Sequence, residues 1–452
     1  MLNETPLSAL PPLVSGAPVV GVLPALAYRP LEWLLETRRR MGDIFTLDLG
    51  FARWVVVLHP RHAEHVLVSH CDRYRKTGPA WEALTELLGT GLALSEGEAW
   101  KRQRRVVQPY FHRQQMAALT SLMIETIAET LDSWQGAADS GKPFNLSAGY
   151  SGMAMRVVAR TLFGQGLPAA EVERVGALIA HIADYLPLGI LGRALPPWAP
   201  IPGAGRYRRK LRELDAMVHK IIAGERGSAA PSGSLLARMV AETGDGGLTD
   251  GELRDEVMTF LLAGADPTSL ALSWASHFLI EHPEVASQVE AEVDAVLGRR
   301  APLFADAAAL SYTRMVIQES LRLRPPDWWL PRSAAAEDEI DGFRIPAGTM
   351  VVLMLYGIHH NPTVWPDPER FRPERFAREE VAQRHKHAWI PFGAGPRACM
   401  GREFALIEAQ LALAMLLQRF SLSAAPGRRP SARARMTLRP EGGVQVYLRR
   451  RT

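Results

Sequence analysis

Across 452 residues the chain carries only two cysteines, Cys71 and Cys399. A disulfide framework is thereby excluded, and a reducing, cytoplasmic location is the expectation. Lysine is almost as scarce: six of the 52 basic side chains are lysine and the rest arginine, a hint of a GC-rich bacterial genome, not of function. No basic tract of nucleic-acid-binding length occurs. Arg206-Tyr207-Arg208-Arg209-Lys210 and Arg449-Arg450-Arg451 are short, and the net charge of +4 is modest for this size, so no nucleic-acid partner is expected. Missing too is any apolar run of roughly 20 residues, the length a membrane span needs. Prolines at 6, 11, 12, 18, 24 and 30 interrupt the N-terminus, and Met1-Leu2-Asn3-Glu4 lacks a signal peptide's basic start, so no transmembrane anchor is expected. Internal repeats are absent, and the loop-like stretches 224–233 and 243–247 are too short to separate domains.

What is present is globular: 47% hydrophobic and 22% charged residues. Helical periodicity dominates. Thr249-Asp250-Gly251-Glu252 forms a capping box, and the helix it opens runs to His282-Pro283, interrupted only by Pro267. At 1.5 Å per residue such a helix is roughly 48 Å long, enough to cross the molecule. Its apolar face includes Leu253, Val257, Phe260, Leu261 and Gly264. A second helix covers 312–323 and stops before Pro325-Pro326. Short extended segments at 44–49, 54–58, 342–345, 350–354 and 444–448 flank the helices. Residues 186–205, rich in proline and glycine, read as a long connection of the kind that often forms a lid. The class is mainly α with small β-sheets (α+β), as one large domain over residues 1–452 with 1–40 as a proline-rich lead-in.

The most informative residue is Cys399, within Phe392-Gly393-Ala394-Gly395-Pro396-Arg397-Ala398-Cys399-Met400-Gly401. The turn precedes a helix marked by Phe404, Ile407, Leu411 and Met415. A thiolate there would have backbone N–H groups and a positive helix end beneath it, the setting of an axial ligand to haem iron. A buried structural cysteine is the bland alternative, and Gly393-x-Gly395-x-x-Ala398 superficially matches a dinucleotide loop. That fingerprint belongs at the start of a βαβ unit, whereas here almost all of the chain precedes it.

Upstream, Glu319-x-x-Arg322 places opposite charges on one helical face, ordinarily a surface pair worth only a few tenths of a kcal/mol. Phe371-Arg372-Pro373-Glu374-Arg375-Phe376 follows and offers a second arginine to the same carboxylate. In this order, with the cysteine loop behind them, the three motifs resemble the cytochrome P-450 haem-thiolate family, of soluble bacterial type. Trp100-Lys101-Arg102-Gln103-Arg104, ahead of Gln108-Pro109-Tyr110-Phe111-His112, is similar to the family's propionate-binding helix, and the likeness extends over essentially the whole chain.

The resemblance implies haem b between the long helix and the cysteine-loop helix. Cys399 would be the iron ligand, with Trp100, Arg104, Ala263, Gly264, Arg332, Pro391, Phe392, Arg397 and Gly401 around the cofactor. Glu319, Arg322 and Arg375 would form a structural ion-pair network. It further implies an apolar small-molecule substrate in a pocket drawn from 76–97, 186–199, 260–265, 327–330 and 441–444. Phe260, Ala265, Trp328, Trp329 and Leu330 are the named candidates, although tryptophan is as often core as ligand platform. Electrons would come from NAD(P)H through a separate ferredoxin or flavodoxin and its reductase, with no fused reductase and a monomeric enzyme. Lys101, Arg102, Arg105 and Arg402 would form the docking face.

One departure stands out. Ala263-Gly264-Ala265-Asp266-Pro267-Thr268-Ser269 has proline where the family usually carries the threonine that helps deliver protons to dioxygen. Asp266 with water at the freed Ala263 carbonyl could replace it, and Thr268 is the nearest hydroxyl, turned about 100° away. Pro267 could equally deepen a kink and nothing more. Three functions stay open: a monooxygenase of bacterial specialised metabolism using dioxygen; a peroxide-using or rearranging haem-thiolate enzyme; and a non-enzymatic haem sensor.

Overall fold

The fold comes from a computed structural model, which describes residues 9–164, 168–192, 201–228, 233–244, 246–427 and 429–451. Strands are β1 (Leu13–Val14), β2 (Ile44–Asp48), β3 (Arg53–Val57), β4 (Tyr74–Arg75), β5 (Leu330–Ala334), β6 (Met350–Leu353), β7 (Ala432–Ala434) and β8 (Leu438–Pro440). Helices that position the site are α1 (Gly97–Val107), α2 (Leu146–Phe163), α3 (Ala169–Gly192), α4 (Asp250–Glu281), α5 (Ser311–Leu323) and α6 (Arg402–Arg419). The first six strands form one mixed sheet in the order β1-β2-β3-β6-β5-β4, and β7 pairs antiparallel with β8.

Alternation between Val, Ile and Leu builds this sheet's two buried faces. Val55, Val57, Val351 and Leu353 pack on one side, and Phe45, Leu47, Val56 and Val352 on the other. The larger core lies among the helices, where α2, α4 and α6 are buried along most of their length.

The long helix is as expected. Thr249 accepts from the Glu252 amide while the Glu252 carboxylate accepts from the Thr249 amide, closing the capping box, and α4 then runs for 32 residues through Pro267. Close approach to α2 depends on Gly264, where a Cβ would stand 2.7 Å from Val158 Cγ2. The Tyr150 hydroxyl, 2.7 Å from Ser276 Oγ, ties the same two helices further along.

The expected lid needs correction. Residues 186–192 continue α3 as regular helix, because the apolar spacing of Ile179, Ile182 and Leu186 outweighs the local prolines and glycines. Residues 193–200 lie outside the described residues.

Candidate functional site

Three parts of the chain carry the candidate site. The first is the turn before α6. Cys399 N–H donates to Phe392 O at 2.8 Å and Gly393 N–H to Ile390 O at 3.0 Å, closing the loop on itself. Gly395 adopts φ +69°, and a Cβ there would fall 1.9 Å from Leu67 O, so only glycine lets the loop lie this close to the sheet side of the molecule. Arg104 on α1 donates to Pro396 O at 2.6 Å and braces the turn from outside. Cys399 is open to a water-sized probe yet walled in by protein. Both observations hold together if its thiol faces an enclosed space instead of bulk water.

Burial pushes the Cys399 thiol up to about 11, against the hydrogen bond from the Gly401 backbone. Coordination to a cation would overcome this, since a ligating thiol is deprotonated outright.

The second part is a set of cations around Trp100 and Trp81. Arg104 and Arg397 stand over the Trp100 ring at 5.3 and 4.1 Å, and Lys76 and Arg332 stand over Trp81 at 5.6 and 5.3 Å. Arg332, on β5, is almost fully buried; burial first, then Arg397, lowers it to about 10. Lys76 is held well below the usual lysine value, chiefly by burial and then by Arg332 and Arg397. Glu96 is the carboxylate nearby, 4.0 Å from Arg397 and accepting from the Lys76 amide at 2.9 Å. Among the described residues the buried Trp81 indole N–H has no partner. Lys76, Arg332 and Arg397 have Glu96 as their carboxylate, which Arg75 also reaches at 3.6 Å, and this excess of positive charge beside an idle indole N–H fits a ligand carrying two carboxylates, as the haem propionates do. The sequence placed Lys76 and Trp81 only within the 76–97 stretch of the expected substrate pocket, not among the haem contacts. The signal was a lysine in a chain with few, but only the fold places it beside Arg332.

The third part is α4. Ala263, in the middle of this largely buried helix, is exposed, while Ala265 turns into the helical core. Asp266 is gripped by Arg439 on β8, whose Nη2 donates to both carboxylate oxygens at 2.7 and 2.8 Å, and it accepts from the Thr437 hydroxyl at 3.2 Å. Burial still raises its pKa, opposed by Arg439 and Thr437. Thr268 donates to Gly264 O at 3.3 Å and Ser269 to Asp266 O at 2.8 Å, so both hydroxyls serve their own helix. Pro267 has no N–H for the Ala263 carbonyl.

Several expected contacts point elsewhere. Gly264 faces Val158 on α2. Phe260 stacks on Phe111, 6.1 Å between centroids, and Phe111 meets Phe404 of α6 edge-on at 6.2 Å. Trp329 stacks on Trp54, and Trp328 turns its indole N–H to Arg435 O at 2.8 Å. Leu330 packs against the sheet core. Pro391 is buried, and Phe392 packs edge-on against Trp389. Aromatic side chains beside a sheet bury more area in its face than in a pocket, and local sequence does not say which way they turn.

Beneath the cysteine turn, Glu319 receives Arg322 through two bonds of 2.7 and 2.8 Å, with Arg375 Nε at 3.4 Å, all three side chains being essentially inaccessible. Arg322 also donates to His359 O, Pro368 O and Arg370 O. On the outer face, Arg102 is paired with Glu252 and Lys101 with Glu98, leaving Arg105 exposed and Arg402 loosely placed at 3.9 Å from Glu403.

The family model described as Cytochrome P450 matches residues 11–447. The chain is 37% identical over 422 residues to cyclooctat-9-en-7-ol 5-monooxygenase of Streptomyces melanosporofaciens, covering 91% of this chain and 89% of that protein. It is 30% identical to pentalenene oxygenase of Streptomyces avermitilis, covering 91% of each. The crystal structure of the cytochrome P450DA heme domain superposes with a TM-score of 0.89 at 26% identity, covering 99% of both chains.

Proposed function

The chain belongs to the cytochrome P450 family, and from that premise we propose a haem-thiolate monooxygenase acting on a cyclic terpenoid, with Cys399 as the ligand to iron. The observation that carries this is the Cys399 turn, closed on itself ahead of α6, together with the buried cations Lys76 and Arg332 and their neighbour Arg397. Two relatives carry names of monooxygenases or oxygenases whose substrates are cyclic products of terpene metabolism, one of them an alcohol.

Haem held here would supply activation of dioxygen at a thiolate-ligated iron. The chain's own residues do the rest. Arg332, Arg397 and Lys76 would anchor the propionates, with Trp81 and Trp100 packing between them. Glu319, Arg322 and Arg375 keep the segment behind the cysteine turn in register, a structural task. Asp266 is the acid next to Pro267; burial raises its pKa and Arg439 opposes the rise, so this pair would set how readily it takes and gives a proton. The whole chain, residues 1–452, acts as one monomeric domain in the cytoplasm. Electrons arrive from NAD(P)H through a separate ferredoxin or flavodoxin and its reductase. No described helix is long and apolar enough to cross a membrane.

Turnover of cyclic terpenes with a surrogate ferredoxin and reductase, against peroxide alone and no oxidant, tests the reading. Product that needs the reductase chain and incorporates one labelled oxygen atom is expected. Equal product with peroxide alone, or an isomer without added oxygen, sinks it.

A further inference from the structure

The segment that enters the cysteine turn carries two imidazoles that no haem contact uses. His385 and His387 sit in a turn closed by Ala388 N–H donating to His385 O at 2.9 Å, with their ring centroids 5.9 Å apart. Facing them is Glu64, the last residue of a short helix, Pro60–Glu64, that follows β3. One carboxylate oxygen stands 3.4 Å from His385 Nε2 and the other 3.8 Å from His387 Nδ1. One donor atom from each residue can be chosen so that all three lie within 4.8 Å of one another. Two of the three groups come from neighbouring positions and the third from the far end of the chain.

An ordinary surface ion pair does not account for this arrangement. His387 is only 6% exposed, and among the described residues its Nδ1 makes no hydrogen bond. A buried ring nitrogen left unsatisfied is costly, and this one is the atom turned to Glu64. The nearby arginine is withdrawn: Arg384 donates to Arg375 O at 2.6 Å and lies over the Trp365 ring at 3.9 Å. Lys386, between the two histidines, is exposed. Glu64 and His385 are partly open to solvent, which gives an ion a way in. The His385 ring also accepts from the His387 amide through Nδ1 at 3.2 Å. A metal on Nε2 would place the ring proton on Nδ1 and release that long contact.

We propose that Glu64, His385 and His387 bind a divalent ion of the zinc class, tying the helix after β3 to the segment that enters the cysteine turn. Donors 2.0–2.2 Å from a tetrahedral zinc ion stand about 3.4 Å apart, so small side-chain rotations close this set around the ion with solvent in the fourth position. Two imidazoles and one carboxylate suit zinc, nickel or copper, whereas calcium and magnesium call for oxygen donors. Further along, the segment is held by Trp389 Nε1 donating to Gln318 O at 3.1 Å and Ile390 N–H to His359 Nε2 at 3.0 Å. The ion would add a tie on the sheet side, near the point where Gly395 passes Leu67 O.

The test uses haem-loaded full-length protein without a histidine tag, stripped by chelator and dialysed against zinc chloride. Elemental analysis then counts zinc against haem iron. At about 10 µM free zinc the wild type should hold one zinc per iron more than Glu64→Gln, His385→Ala or His387→Ala, each of which should bind at least about 10-fold more weakly. His219→Ala, which removes an exposed imidazole beside Asp215, should match the wild type. Zinc should also raise the thermal midpoint of the wild type and not that of the three variants, because a ligand of the native state stabilises it. The haem spectrum shows which variants fold; should His387→Ala not load haem, the two partly exposed positions decide alone. Zinc content equal in the wild type and in Glu64→Gln or His385→Ala overturns the proposal. So does displacement of the zinc by an equal concentration of calcium, or a wild-type midpoint indifferent to zinc.

Discussion

Removing the Glu319 carboxylate is the most direct test of what pins the cysteine side of the fold. Its two oxygens take both Arg322 bonds, the Arg372 amide at 2.9 Å and Arg375 at 3.4 Å. Glu319→Ala would strip two guanidinium groups, 0% and 2% exposed, of their closest counter-charge. Breaking one buried ion pair by deleting a partner costs about 3–5 kcal/mol, against a total stability of about 5–15 kcal/mol. With a urea slope of roughly 3 kcal/mol/M, the midpoint should fall by about 1 M or more, and haem content should fall with it. Glu319→Gln keeps the shape and one acceptor, so a smaller loss of the same sign is expected. Lys101→Met, which removes an exposed partner of Glu98, should leave the midpoint unchanged. Urea unfolding of apo and haem-loaded protein, with haem quantified by absorbance, reads all three. A Glu319→Gln protein that unfolds within about 0.1 M urea of wild type and carries full haem would refute the reasoning.

Cys399→Ser and Cys399→His should lose the thiolate-type band of the reduced carbon monoxide complex, because neither oxygen nor imidazole donates as sulfur does, whereas Cys71→Ser should keep it. Asp266→Asn should slow terpene turnover by about 100-fold while Pro267→Thr changes it little; a large gain from Pro267→Thr with no effect of Asp266→Asn would show that the native chain lacks a proton relay. Glu256 is pushed up to about 8, first by burial, and one of its oxygens is unpartnered. Between roughly pH 4.3 and 8 its native state therefore holds a proton that the unfolded chain releases, so stability falls as pH rises through that window. Glu256→Gln, which can still accept from the Leu92 amide, should flatten the fall and be the more stable protein at pH 8, as chemical denaturation at pH 4 and 8 would show. Reduction by an acidic carrier should slow with salt and on charge reversal of Arg105 and Arg402, since a Debye length of about 10 Å at 0.1 M screens an exposed face; a rate indifferent to both would move docking elsewhere. Reversal of Arg102 is a poor probe, because Arg102 is bound to the capping carboxylate Glu252.

The capped long helix was legible because it is a local pattern with one physical solution, whereas the cysteine turn and the Glu319, Arg322 and Arg375 triad were legible through the order of motifs that resembles the family. A glycine-rich turn before an apolar helix presents its cysteine, and Thr249 with Glu252 can only begin a helix. The direction of Trp328 and Trp329 was not legible. Both suit a pocket or a sheet core, and the choice fell to Trp54 and to Arg435 O, residues far away in sequence. The helix through residue 192 was hidden by its own turn residues, whose propensity lost to burial of Ile182 and Leu186.

The sequence by itself determined the chemistry: which atom can ligate iron, which residues carry the family's motifs, and that proline replaces the usual hydroxyl in α4. Only tertiary structure decided the charges around that chemistry. Lys76 joined Arg332 and Arg397, and Asp266 was given to Arg439, because β4 pairs with β5 and β8 packs on α4. Electrostatic energies depend on separation and burial, and neither is encoded in the order of residues along the chain.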